Sequence, residues 1–209
     1  MASQPLISLP TSRELLSGLI SQLAKAEPTA SPTPSSSASS SSASSQAGVR
    51  ADQLLNSLPP HQQQSLLTLH CLLPHAFLPA LDLLDRRLVT RVTPASENAK
   101  QCVYYVRSAS PSGSRFKTSS TPRYEVRTSA WNCTCASFTF AAINALPPSG
   151  GQEEMTALWG ALSLGDGPPP VCKHIIACVL AENCKMFERF LVEETADQKR
   201  MAELAVLWE

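Results

Sequence analysis

The residues with the clearest chemical potential are Cys133-Thr134-Cys135 and, after 36 intervening residues, Cys172-Lys173-His174. Two thiolates one residue apart, then a thiolate and an imidazole one residue apart, supply the four donors of a tetrahedral Zn²⁺ site. Four protein ligands leave no open coordination position. One structural zinc is therefore expected, and zinc-assisted hydrolysis is not. Closing the long segment between the two pairs is a natural task for a metal, because binding and folding are then one event.

Local geometry constrains how these donors meet. Side chains at i and i+2 of a strand point to opposite faces, so Cys133 and Cys135 chelate together only if the chain turns between them. Residues i and i+2 of a helix lie about 200° apart, so Cys172 must precede or open a helix and His174 must sit in its first turn. Pro168-Pro169-Pro170 places a helix start where this requires it. The exposed N–H groups of that start also favour thiolate charge. Cys178, four residues after His174, is a competing ligand, although its neighbours Ile176, Ala177 and Val179 favour burial. Cys71, Cys102 and Cys184 lie in apolar patterns and read as core. His61, His70 and His75 belong to a helical region, where a second metal site is the weaker alternative to ordinary histidines.

The elements that carry these donors follow from periodicity. A helix is expected near Ser12–Ala26, capped by Thr11 or Ser12, with Leu15, Leu16, Leu19, Ile20 and Leu23 at helical spacing. Residues 27–48 are dominated by Ser, Pro, Ala and Thr and read as a disordered linker open to phosphorylation. Helical patterns follow at Asp52–Leu55, Gln62–Leu73 and Pro74–Leu84, the last with Phe77, Leu78, Leu81 and Leu84 on one face. Leu88–Val92, Cys102–Arg107 and Tyr124–Thr128 read as a small antiparallel sheet. Ala136–Ala145 is expected to be helical, residues 147–170 to be an irregular insert with a helical turn or two in Glu153–Leu162, and Val171–Cys184 and Phe187–Trp208 to be the last two helices. In that final helix Phe187, Phe190, Leu191, Met201, Leu204 and Trp208 offer apolar surface for packing. The fold class is α+β: N-terminal helices, a β-meander, a C-x-C…C-x-H finger and C-terminal helices. The expected units are a helical extension at 1–26, the linker at 27–48 and a zinc-finger domain at 49–209.

The chain has 17 basic and 17 acidic residues, yet the charge is uneven. Residues 86–127 hold Arg86, Arg87, Arg91, Lys100, Arg107, Arg115, Lys117, Arg123 and Arg127 against Glu97 and Glu125. The segments on either side are net acidic. This block is either a solvated β-face paired with the acidic C-terminal segment or a surface for phosphates. Tyr104, Tyr105 and Tyr124 lie among these charges, as in proteins that stack single-stranded bases, although core packing explains them equally well. No apolar run reaches the ~18–20 residues of a membrane span, and the N-terminus has no signal-peptide pattern. An intracellular, reducing location without a membrane partner is expected, in which seven cysteines point to metal and burial before disulfides.

The C-x-C…C-x-H arrangement resembles the SWIM zinc finger. Cys172-Lys173-His174-Ile175-Ile176-Ala177 is similar to the C-x-H-x-x-A form of the SWIM subunit of the Shu complex. Upstream, Phe77-Leu78-Pro79-Ala80-Leu81-Asp82-Leu83-Leu84-Asp85-Arg86 resembles a stretch of that family which is also followed by strands leading into the finger. The resemblance covers roughly residues 62–184. It implies a nuclear accessory subunit of homologous recombination and DNA repair. Such a subunit binds a RecA-like recombinase paralogue in a heterodimer or larger complex and promotes recombinase filaments on single-stranded DNA. Asp82, Asp85 and Arg86 then read as a partner-facing cluster, or else as a charged helix end paired locally. Ala177 reads as a position of close helix approach. The N-terminal extension and the 147–170 insert lie outside the family pattern.

Other function classes carry less. A SWIM domain binding nucleic acid directly through residues 86–127 is the alternative. A ubiquitin-ligase component lacks a second zinc module. The chain has no G-x-x-x-x-G-K-[ST] loop for a nucleotide and no nucleophile motif. A non-catalytic adaptor is the expected function.

Overall fold

The structure is a computed structural model and describes residues 9–25, 58–95, 101–109, 122–145, 159–160 and 168–206. The linker, the Asp52–Leu55 helix, most of the insert and Trp208 lie outside the described residues. Within them are seven helices and one five-stranded mixed sheet.

Helix α1 (Ser12–Ala24) opens on a capping box. The Thr11 hydroxyl accepts from the Glu14 N–H at 3.3 Å, and the Glu14 carboxylate accepts from the Thr11 N–H at 2.7 Å. Leu16, Ile20 and Leu23 are buried in the main core, whereas Leu15 is exposed. The expected N-terminal extension is thus packed into the same core as the elements beyond the linker. Helix α2 (Pro60–Leu72) starts with proline at its first position, where no N–H is needed.

Helix α3 (Phe77–Asp85) begins later than the expected Pro74, because residues 74–76 form the turn that joins it to α2. Its inward arc is Phe77, Ala80, Leu81 and Leu84, a helical i, i+3, i+4, i+7 stripe, with Leu83 also buried. Leu78 lies one step around that arc and is 54 % exposed, so it leaves the core face assigned to it from sequence.

Strands β1 (Val89–Pro94), β2 (Val103–Arg107), β3 (Arg123–Arg127) and β4 (Asn132–Cys133) form an antiparallel meander, the first three as the Val, Tyr and Thr content of their segments predicts. Helices α4 (Ala136–Ile143) and α5 (Lys173–Asn183) follow. The C-terminal region departs from expectation. In place of one helix over 187–208, the chain forms a short α6 (Lys185–Glu188), β5 (Val192–Ala196) and α7 (Gln198–Val206). Strand β5 pairs parallel with β1, giving the order β4-β3-β2-β1-β5. Tertiary context overrides helix propensity here: β1 has a free edge, and Arg91 on it binds Glu188 at 3.0 Å and Glu193 at 2.8 Å.

The sheet has two unlike faces. One turns Tyr104, Val106 and Val126 into the main core with α1, α3 and α5. The other turns Val92, Val103 and Tyr105 towards α7, where Ala196, Leu204 and Met201 complete a smaller cluster. Tyr104 and Tyr105 are 0 % and 3 % exposed, so neither can serve as a stacking platform for bases. For these two rings the core-packing alternative holds.

Candidate metal centre

The donors are brought together by one strand end and two helix starts. Cys133 closes β4 with its side chain buried, opposite Val126 of β3. The chain turns at both ends of this strand, and the turn that chelation demands is the one after it. Before it, Trp131 adopts φ 47°, a left-handed conformation unfavourable for a bulky residue. After it, the chain leaves the sheet and Cys135 becomes the N-cap of α4, its sulfur accepting from the Phe138 N–H at 3.4 Å. Cys172 plays the same part for α5, accepting from the Ile175 N–H at 3.5 Å. His174 follows in the first turn of α5, as the i, i+2 spacing requires.

The four donor atoms all lie within 4.8 Å of one another, and all four residues are buried. Cys133 Sγ and His174 Nδ1 are 3.7 Å apart. Tetrahedral coordination with Zn–S near 2.3 Å and Zn–N near 2.0–2.1 Å sets such donors about 3.6 Å apart, so the observed spacing fits. The charge balance fits as well. Hydrogen bonds from Cys133 and Cys172 hold the Cys135 thiol far below its ordinary range. The Cys133 thiol is driven far up by its contacts with Cys135 and Cys172 and by burial. The lowering contact of Cys172 with Cys133 is outweighed by Cys135 and burial, and its thiol is pushed up to about 12. One sulfur out of three carries the charge readily; ionising all three in this dry space requires a cation.

Surrounding groups hold the donors in place. The Tyr124 ring stacks on His174 with centroids 4.5 Å apart. His174 Nε2 is buried and has no hydrogen-bond partner among the described residues, so ring orientation here comes from stacking in place of the usual second hydrogen bond. The Trp131 Nε1–H donates to the Pro170 carbonyl at 2.9 Å, tying the first ligand pair to the segment leading into the second. Trp159 packs edge-on against Trp131 at 5.0 Å, and its backbone N–H donates to Ser17 Oγ at 2.9 Å. The insert therefore contributes a fully buried residue to the core.

The structure brings together Cys133, Cys135, Cys172 and His174 and leaves Cys178 apart. Cys178 is wholly buried in α5 and outside the donor group. Burial raises its thiol well above the ordinary value. Cys184 is likewise buried, but Cys102 is half-buried and Cys71 is exposed, which corrects the expectation that Cys71 lies in the core. Among the described residues no second group of this kind forms around His61, His70 or His75. Asp82, Asp85 and Arg86 are exposed at the end of α3, and Arg86 pairs with Asp82 at 3.4 Å. Ala177, grouped with them from sequence, has no exposed surface and is packed within α5. Tyr124, Trp131 and Trp159 were not singled out as site residues from sequence; the left-handed Trp131 and the long-range Trp159 contact leave no local signature.

No family model matches the chain, and no curated protein matches it. Among the described residues no helix is long and apolar enough to cross a membrane.

Proposed function

We propose that this chain is a SWIM-type zinc protein that acts as a non-catalytic accessory subunit of homologous recombination and DNA repair in the nucleus. It binds a RecA-like recombinase paralogue and promotes recombinase filaments on single-stranded DNA. The observation that carries the reading is the convergence of the buried Cys133, Cys135, Cys172 and His174, whose donor atoms lie within 4.8 Å of one another. It occurs in the order and local geometry of a C-x-C…C-x-H finger, downstream of the α3 motif.

Bound through these four residues, zinc supplies a rigid cross-link and no reactive position. The rest is done by the chain. Cys135 and Cys172 start α4 and α5, Tyr124 fixes the imidazole, and α5 packs on α3. Helix α3 presents Asp82, Asp85 and Arg86 at its exposed end as the candidate partner surface. Ala177 serves that surface indirectly, within the packed helix beneath.

The test measures metal content and capture of a purified RecA-like recombinase paralogue, comparing wild type with His174→Ala. About one zinc per chain, lost together with capture in the variant, is the expected result. Capture by a metal-free variant would overturn the adaptor role of the finger. Metal-loaded wild type that captures no RecA-like paralogue would overturn the recombination assignment.

A further inference from the structure

Six arginines of the central basic block lie among the described residues, and they divide into two sets. Arg86 pairs with Asp82, Arg91 with Glu188 and Glu193, and Arg127 with Glu125 at 2.6 Å. Arg87, Arg107 and Arg123 make no ion pair among the described residues, and these three are neighbours. Arg107 and Arg123 stand directly opposite each other in the β2–β3 register. Arg107 Nη2 donates to the Arg87 carbonyl at 3.4 Å.

Two features of this cluster run against stability. Like charges directly opposite across antiparallel strands repel. Arg87 occupies the left-handed position that ends α3, with φ 51°. There the Leu88 N–H reaches the Leu83 carbonyl at 2.9 Å and the Arg87 N–H the Leu84 carbonyl at 2.8 Å, a closure that favours glycine. Arg107 and Arg123 also line a cleft of ≈ 220 Å³ on the sheet face opposite the metal centre. Thr90 and Tyr105 form part of its floor, and α7 contributes Leu204 and Arg200. Its one lining carboxylate, Glu194, is already engaged by Arg200 at 2.8 Å. An anion seated between the two guanidinium groups removes the repulsion, and phosphate matches their planar donor geometry.

We propose that Arg107 and Arg123, supported by Arg87, form a phosphate-binding site in the cleft between the outer sheet face and α7. The ligand class is a phosphate group, carried either on a single-stranded nucleic-acid backbone or on a small molecule. Neither the metal centre nor a recombinase partner enters into this assignment, so its failure leaves both untouched.

The test compares wild type, the double variant Arg107→Gln/Arg123→Gln, and Arg127→Gln as a paired arginine on the same strand. A labelled oligothymidylate is titrated by anisotropy over a range of salt, and thermal shift is read with and without inorganic phosphate. For a nucleic-acid ligand, the double variant binds roughly tenfold or more weakly, with a log–log salt slope lower by about 1.4, since each single-strand phosphate contact contributes about 0.7. Arg127→Gln binds as wild type. For a small ligand, the oligonucleotide does not bind, but phosphate raises the melting temperature of wild type and not of the double variant. Without ligand, the double variant melts at or above wild type, because the repulsion is gone. Equal behaviour of wild type and double variant towards both probes would overturn the site.

Discussion

Cys172→Ser separates the metal from the fold around it. The Cys172 sulfur is one of four donors and also the N-cap acceptor for Ile175. Serine is a good N-cap, so the substitution retains the helix start and removes the thiolate. The magnitude follows from the loop that a bound metal would close. A tie between Cys135 and Cys172 spans 36 intervening residues, and the chain entropy removed by a cross-link of that length is worth about 4 kcal/mol. A net stability of 5–15 kcal/mol is typical of a domain, and for one of this size each kcal/mol is worth roughly 2–4 °C. The variant should therefore melt about 10–15 °C lower and carry no zinc. Cys172→Ala should lose about 1 kcal/mol more, because the cap goes as well. The assay is elemental mass spectrometry beside thermal melts with and without a chelator. Chelation should bring wild type down to the serine variant and leave that variant unmoved. Cys178→Ala, outside the donor group, should keep its metal. A serine variant that retains metal, or a metal-free wild type with an unchanged melt, would refute the reasoning.

Two further outcomes test the core. Leu83→Ala, at 0 % exposure in α3, should cost about 2–5 kcal/mol in urea unfolding, whereas Leu78→Ala at 54 % exposure should stay within about 0.5 kcal/mol; equal effects would show that the α3 face is misassigned. Alkaline pH should also destabilise the fold, because burial, aided by Glu125, pushes Tyr105 up from 10.0 to about 12, and burial drives Tyr104 up further. Below pH 10 neither chain state is ionised at these tyrosines; between 10 and 12 the unfolded state releases protons that the folded state holds, so the urea midpoint should fall as pH rises. A flat midpoint across that window would contradict the burial of both rings.

Legibility in the sequence followed the range of the interactions. The donor set was readable because its constraints are local: i, i+2 geometry puts Cys172 at a helix start, and Pro168–Pro170 marks that start. The meander was readable from the Val, Tyr and Thr content of Leu88–Val92, Cys102–Arg107 and Tyr124–Thr128. What escaped depends on distant partners. Val192–Ala196 carries two glutamates and reads as helix until Arg91, about a hundred residues earlier, is placed beside it. Trp159 sits in a Gly/Pro-rich insert and is recruited by Trp131 and Ser17. Leu78 and Tyr105 have the right residue types for the roles assigned, but exposure is decided by the facing element: none among the described residues covers Leu78, and α7 covers the sheet face that carries Tyr105.

Strand β3 joins the two chemistries. Its inward residues, Tyr124 and Val126, stack on His174 and pair with Cys133. Its outward residues place Arg123 opposite Arg107 and carry the Glu125–Arg127 pair. Strand β4 is only two residues long, and one of them is the ligand Cys133. So short an edge pairing is held by the Val126–Cys133 register and by Thr134, whose N–H reaches the Glu125 carbonyl at 3.1 Å while its hydroxyl accepts from the Glu125 N–H at 3.0 Å. The two sites are therefore largely independent. Releasing the donor residues frees the β4 edge, whereas the pairing of β3 with β2 keeps Arg123 opposite Arg107. Removing the arginines takes away a repulsion and the Arg107–Arg87 hydrogen bond on the far face and leaves the donor set where it is.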